Sequence, residues 1–305
     1  MTTPQTIGKV NVGGIMQSKV FGLPVHKEIM FSNHKDKYKS RIEKRQRKLI
    51  SRLSFLRPFL EPDENILLVT TGHSPPTVLE KFGIGWLFLY LKRSLFVFTD
   101  RRIFHVPTTP IYRYRGSITQ IPYTACESIQ MKGASLLVQY KGGGEPEKFL
   151  SLSGREKKKV RELLNIISFE GPQASVAGRV HLCPQCASAL YSSISQCGSC
   201  GLRFKTPGVA AFLAIVLPGG GYFYLRQPFL GAAFALLEIA AAALIAISWY
   251  GIANTGVSNL LWGGGGILML GLLKAFAVVH VRIILKEYIP RKTDITFQKV
   301  AAASP

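Results

Sequence analysis

Acidic residues are scarce in this chain: 17 Asp and Glu stand against 38 Lys and Arg, giving a formal net charge of +21 over 305 residues. Cysteine is scarcer still at five, too few for the disulfide framework of a secreted scaffold of this length. Residues 1–30 lack the apolar run of a signal peptide, so export of the part that follows is not expected. From Gly208 to Val281 charge itself is nearly missing, with Arg226, Glu238 and Lys274 as the formally charged residues. No nucleophile–base pair, phosphate-cradling glycine loop or metal site with an open position stands out, so an enzyme is the least expected reading.

What is present is unevenly distributed. Hydrophobic residues make up 47%, yet they are segregated from the basic excess. A basic part joined to an apolar part suggests a membrane protein facing an anionic surface, with nucleic acid as the competing partner. Residues 1–34 show no clear period and read as irregular. Residues 35–58 carry ten Lys and Arg, among them Lys44, Arg45, Arg47 and Lys48, while Tyr38, Ile42, Leu49, Leu53, Leu56 and Leu60 fall on one helical face. A basic amphipathic helix ending near Pro58 follows, and two uses stay open. Its apolar stripe packs on the next domain, or its cations meet anionic headgroups at about 1 kcal/mol each. Nucleic acid is a weaker expectation, since no recognised binding fold accompanies the helix.

Residues 59–168 read as one α+β domain. Ile66–Thr71, Leu95–Phe98, Ile103–Val106, Ile118–Pro122, Ser128–Met131 and Leu136–Tyr140 are β-rich, and Gly142-Gly143-Gly144 marks a loop. A helix from about Arg155 to Ser168 puts Val160, Leu163, Leu164 and Ile167 on one face and Lys157–Lys159 on the other. Phe59-Leu60-Glu61-Pro62-Asp63-Glu64 and the strand–turn–strand run Leu95-Phe96-Val97-Phe98-Thr99-Asp100-Arg101-Arg102-Ile103 resemble bacterial PH-like and GRAM-like domains. The resemblance implies a PH-like β-barrel with a C-terminal helix, acting as a membrane-proximal binding module and not as an enzyme. The Thr99–Arg102 turn has a plain reading, two solvated arginines, and a functional one, Arg101 and Arg102 on lipid phosphates. Phe82–Leu91 is apolar but shorter than the roughly 20 residues a span needs. It reads as a buried segment or, alternatively, as an interfacial dip.

Cys183-Pro-Gln-Cys186 and Cys197-Gly-Ser-Cys200 are paired at metal-knuckle spacing, with Gly198 and Gly201 expected to free the backbone. Four thiolates saturate a tetrahedral ion, so structural zinc is expected, with an iron–sulfur centre or a redox dithiol as alternatives. The segment Val180–Lys205 resembles a zinc ribbon, which implies folding energy drawn from the metal and a possible protein partner. Cys126 reads as a core cysteine.

Three apolar stretches follow: Gly208–Leu225, Phe229–Tyr250 and about Val257–Val281. The last two suit spanning helices, whereas Pro218–Gly221 breaks the first. Basic residues at one end and Trp249, Tyr250 and Trp262 at the other put the bulk of the chain and the 286–305 tail on the cytoplasmic side of the inner membrane. An even number of crossings then makes the first stretch re-entrant, interfacial or a hairpin. Pro218–Gly231 resembles the connector of a small two-span bacterial membrane domain, although the charged and histidine positions usual there are missing. Lys274 is expected to snorkel; Glu238 is expected to face protein or be protonated, with ion or proton movement as the alternative. Gly263–Gly266 permits close helix contact, within the chain or in a homo-oligomer. The expected function is a non-enzymatic membrane-anchored binding or scaffold protein. A small transporter component using Glu238 and a membrane-tethered nucleic-acid or ribosome adaptor are the competing readings.

Overall fold

Leu95-Phe96-Val97-Phe98 is apolar without alternation, and a strand of that kind has to be covered on both faces. The computed structural model, which describes residues 18–75, 77, 91–170, 178–191, 194–255 and 260–291, supplies both covers. Elements are numbered in chain order. Strands β3 (Ile66–His73), β4 (Arg93–Thr99), β5 (Arg102–Pro107) and β6 (Ile118–Pro122) form an antiparallel meander. Leu95 and Val97 point into one apolar cluster, while Phe96 and Phe98 point into another. The second cluster is closed by β7 (Cys126–Lys132), β8 (Ser135–Tyr140), β9 (Glu147–Phe149) and helix α3 (Lys157–Ile166), whose Val160, Leu163 and Leu164 are buried. This smaller sheet joins the meander where His73 and Leu150 exchange backbone hydrogen bonds at 2.9 and 3.1 Å.

The first cluster is closed by the N-terminal region, against the expectation of an irregular lead. Strands β1 (Ser18–Val20) and β2 (Leu23–Val25) form a hairpin that joins β3 in parallel at Val25 and Ile66. Helix α1 (Lys27–Met30) buries Met30. The basic helix α2 spans Ser40–Ile50 and gives way to a 3₁₀ turn, Ser54–Phe59, so it is shorter than expected. Leu49, Ile50, Leu53 and Leu56 enter the core, whereas Tyr38 is exposed. The packing use of the stripe is therefore realised. Buried Gln46 secures it: its amide donates to the Val69 carbonyl at 2.8 Å and accepts from the Val69 N–H at 3.0 Å, as a neighbouring strand would. Lys159, expected in water, is 8% exposed and meets Asp36 at 2.8 Å and Ser32 at 3.0 Å. It ties α3 to the loop before α2.

Beyond β6 the same sheet continues through β10 (Val180–Leu182) and β11 (Ala189–Leu190), for the order β1-β2-β3-β4-β5-β6-β10-β11. Two helices follow that are long and apolar enough to cross a membrane: α6 (Pro228–Thr255) and α7 (Leu260–Leu285), with spans Pro228–Gly251 and Trp262–Leu285. Before them lies a helical hairpin, α4 (Pro207–Val216) and α5 (Gly220–Tyr224), turning at Gly219 with φ 63°. Its arms touch backbone to backbone. A Cβ on Gly220 would collide with the Leu213 carbonyl, and one on Gly221 would sit 2.8 Å from the Ala214 Cβ. Gly263 and Gly266 face Ser248 and Ile245 of α6, so those two glycines serve contact within the chain. Gly264 has open space around it.

Gly220→Ala should destabilise the full chain by about 1–3 kcal/mol through overpacking, read as a lower Tm in detergent. Gly264→Ala should leave Tm unchanged or raise it, because a helical glycine gains from a Cβ that meets nothing.

Candidate metal centre and charged sites

The four knuckle cysteines come together without disulfides. Their sulfurs all lie within 4.8 Å of one another, with Cys183–Cys200 at 3.5 Å and Cys186–Cys197 at 3.7 Å. A tetrahedral ion with Zn–S bonds of about 2.3 Å would set sulfurs about 3.8 Å apart. The donor set therefore fits a metal ion. Each knuckle turns on a tight backbone: Ala187 N–H donates to the Cys183 carbonyl and Gly201 N–H to that of Cys197, both at 2.9 Å. The positive φ falls on Ala187 (61°) and Gly201 (73°). Gly201 thus has the expected role, but Gly198 does not, and an alanine holds the matching place in the first knuckle. Burial pushes the Cys183 thiol up and the Cys200 thiol to about 11. At Cys197 burial is outweighed by the Ser188 hydroxyl and the amides of Cys200 and Ser199, and the thiol is drawn down to about 6.

The knuckles pack on Leu190, Leu202 and Phe204, with Tyr288 against them. Backbone pairing runs outward on two sides. On one, Val180, His181 and Leu182 pair with Gln120, Thr119 and Ile118 of β6. On the other, Lys205 N–H donates to the Ile289 carbonyl at 2.9 Å and Arg291 N–H to that of Arg203 at 3.0 Å, just after α7 ends. The Tyr288 ring adds contacts with His181 (4.9 Å) and Phe204 (5.6 Å). Nearby, Leu91 packs on the helix cluster and Lys92 reaches Glu287 at 3.7 Å. The rest of the Phe82–Leu91 stretch lies outside the described residues.

The charged candidates divide. Arg102 is 9% exposed and fork-bonded to fully buried Glu64, at 3.0 and 2.6 Å, with further bonds to Gln120 at 2.5 Å and Glu61 at 2.7 Å. Arg101 pairs with Glu61 at 2.7 Å. Both sit at the far end of β4 from Lys92, and seven strand residues span about 20 Å. Arg102 is thus held in a structural ion pair and is not the solvated arginine of the plain reading. Sequence reading missed this because Glu61 and Glu64 precede β3 and meet the turn only in the fold. Arg45 is held by Glu156 at 2.8 Å and Arg47 by Glu43 at 2.7 Å, while Lys44 and Lys48 are exposed.

Within the helices, Glu238 is 2% exposed and pairs with Lys274 at 2.7 Å. Lys274 also donates to the Ala214 carbonyl at 3.0 Å, at the C-terminal end of α4. It therefore turns inward instead of snorkelling, and it satisfies a carbonyl that the helix end would leave without a partner. Buried Tyr222 and His280, which the sequence reading passed over, meet at 3.0 Å.

One contact looks like a nucleophile and base. His105 Nε2 lies 2.8 Å from Ser74 Oγ and 3.1 Å from Ser94 Oγ, and its Nδ1 lies 3.0 Å from Thr119 Oγ1. All four side chains are at most 3% exposed, so the cluster is sealed from any substrate. Burial, and secondarily Arg179, holds the His105 pKa well below its usual value. Burial likewise pushes the Cys126 thiol up to about 12, in keeping with a core cysteine.

Residues 60–168 match the family model of the bacterial PH domain. The match runs from just before β3 through α3, leaving out the N-terminal cover, the knuckles and the apolar helices. None of the curated proteins matches the chain.

Arg102→Lys should cost about 1–3 kcal/mol, since it keeps the charge but leaves buried Glu64 short of its fork, whereas Arg101→Lys should be near neutral; denaturation of the full chain in detergent compares them. With its folded pKa depressed, neutral His105 stabilises the fold above pH about 6.5, and this contribution falls as pH drops below that value. A His105→Gln variant should flatten that part of the Tm–pH profile.

Proposed function

We propose that this chain is a non-enzymatic, membrane-anchored binding or scaffold protein, in which a structural zinc knuckle holds a PH-like domain at the cytoplasmic membrane face. The observation that carries the reading is the two-sided pairing of the knuckles, with β6 of the PH-like sheet on one side and the segment leaving α7 on the other. A free-standing ribbon needs no such joint.

Anchoring is supported by what the helices leave uncovered. Only 28% and 22% of the two apolar windows are buried, and Leu236, Ile247, Leu268 and Leu272 are each more than 60% exposed. Water would oppose so large an apolar surface, and lipid would not. Helix α4, at ten residues, is about 15 Å long, half of a hydrocarbon core of about 30 Å, and α5 returns it. That supports a re-entrant hairpin beside two crossings. Arg203, Lys205, Arg226, Arg282, Lys286 and Arg291 gather at one end, Trp249, Tyr250 and Trp262 at the other, which favours the first end as cytoplasmic. Exposed Lys44 and Lys48 remain suited to an anionic headgroup or an acidic partner. The commitment of Glu238 to Lys274 favours a structural use of that carboxylate over ion movement. The sealing of His105 favours a non-enzymatic reading, and zinc is favoured over other metals by four thiolates in a closed set.

Purified full chain should carry one zinc, and Cys197→Ser should release it while raising amide exchange in β10 and Arg203–Lys205 but not in β3–β5. Membranes should retain the chain through an alkaline carbonate wash, with the knuckles protected in intact cells and cleavable in inside-out vesicles. Release by carbonate would reject the anchoring, and metal-free protein with unchanged exchange would reject the joint.

A further inference from the structure

Two hydroxyls beside the knuckles are buried without a hydrogen bond. The Ser117 and Tyr114 side-chain oxygens are both shut off from water, and neither has a partner among the described residues. Such groups are rare in folded proteins, and each calls for a reason. Both stand at the end of the sheet that carries the metal centre. The ladder between β6 and β10 sets Gln120, Thr119 and Ile118 against Val180, His181 and Leu182, so its next position sets Ser117 against Cys183. Opposite residues of an antiparallel ladder share a face, with Cβ atoms about 4.5–5.5 Å apart. Tyr114 comes from the turn between β5 and β6, where it pairs with Thr108. Its ring stacks on Phe55 at 4.0 Å, and it packs on the same apolar cluster as Ala187 and Ala189. Burial, and then the charge of Cys183, raises its pKa, so the hydroxyl is within electrostatic reach of that sulfur.

The second knuckle shows what a hydroxyl does at such a centre. Ser188 Oγ lies 3.3 Å from Cys197 Sγ and 3.0 Å from Cys186 Sγ. Cys183 is the matching first cysteine of its own knuckle, and it is fully buried. The amides of Gln185 and Cys186 serve its sulfur from within the knuckle, while Ser117 and Tyr114 stand on the side of the sheet. A thiolate sealed from water depends on donors that the protein supplies. Once an ion holds that sulfur in the anionic form, it accepts hydrogen bonds more strongly than a thiol does. Outer donors of this kind orient a ligand and raise metal affinity.

We propose that Ser117 and Tyr114 are positioning residues of the metal centre, their hydroxyls donating to the Cys183 thiolate when the ion is bound. The inference rests on the zinc knuckle read above, and it adds the PH-like sheet as a supplier of hydrogen bonds to that centre. Both donors belong to the sheet, one at the start of β6 and one in the turn before it. Metal loading therefore tightens this side of the joint through side chains as well as through the backbone of β10.

The test uses the full chain in mild detergent, with zinc and cobalt(II) as the metals. Tyr114→Phe and Ser117→Ala should each weaken zinc by about 10-fold or more in competition with a chelator, and Ser117→Thr should restore it. A hydrogen bond lowers the energy of the sulfur lone pair, so its loss should move the thiolate-to-cobalt charge-transfer band to longer wavelength. Without metal, Tyr114→Phe should hold or raise Tm, because it deletes a hydroxyl that burial leaves unpaired; with zinc its Tm should fall below that of the parent. Tyr123→Phe is the control. It removes a buried hydroxyl bonded to the Thr99 carbonyl at 3.0 Å, just past the far end of β6, and should change neither zinc affinity nor the cobalt band. Parental affinity and an unmoved band in both variants overturn the proposal. So does a loss of affinity without a band shift, or one shared by Tyr123→Phe, since general loosening then explains it. A parent chain that takes up no metal rejects the knuckle reading together with this one, whereas parental behaviour of the variants rejects this one alone.

Discussion

Backbone hydrogen bonding on two sides of a four-cysteine cluster is the constraint on which the rest of the molecule depends. A segment as short as Val180–Lys205 buries little of its own, as its small core of Leu190, Leu202, Phe204 and the cysteines indicates. Yet it completes the edge of the PH-like sheet through β10 and receives the chain again as Ile289–Arg291. Both pairings sit on this one short segment, which therefore links β6 of the sheet to the chain leaving α7.

Charge is handled by commitment. Arg102 with Glu64, Lys159 with Asp36, and Lys274 with Glu238 are pairs in which one or both partners are withdrawn from solvent. Each joins segments far apart in the chain, where removing one partner strands the other. The Lys274 pair also closes the end of α4, so one ammonium serves a carboxylate and a helix terminus together. On the outer face of α2, Lys44 and Lys48 stay exposed.

Much of the architecture was legible because it depends on local pattern. The strand set from Ile66 to Tyr140, the helix after Arg155, the cysteine knuckles and the two apolar helices each carry their signal in contiguous residues. The N-terminal cover was not legible. Residues 18–34 have no period of their own, and their strands exist because β3 offers an edge and an uncovered face. Gln46 illustrates the limit: a polar residue on a basic helix gives no hint that it will satisfy the backbone of β3.

The sequence by itself determined that four thiols would meet, since spacing within each knuckle is a local property, and that α6 and α7 would be apolar along their whole length. Tertiary structure decided what each charge does. Arg101 and Arg102 read as solvated or phosphate-facing, Lys274 as snorkelling and Glu238 as protein-facing or protonated, and only the fold set Glu61, Glu64 and Ala214 beside them. The physical reason is that an ion's environment is supplied by residues distant in sequence, whereas knuckle geometry and helix apolarity are supplied by neighbours.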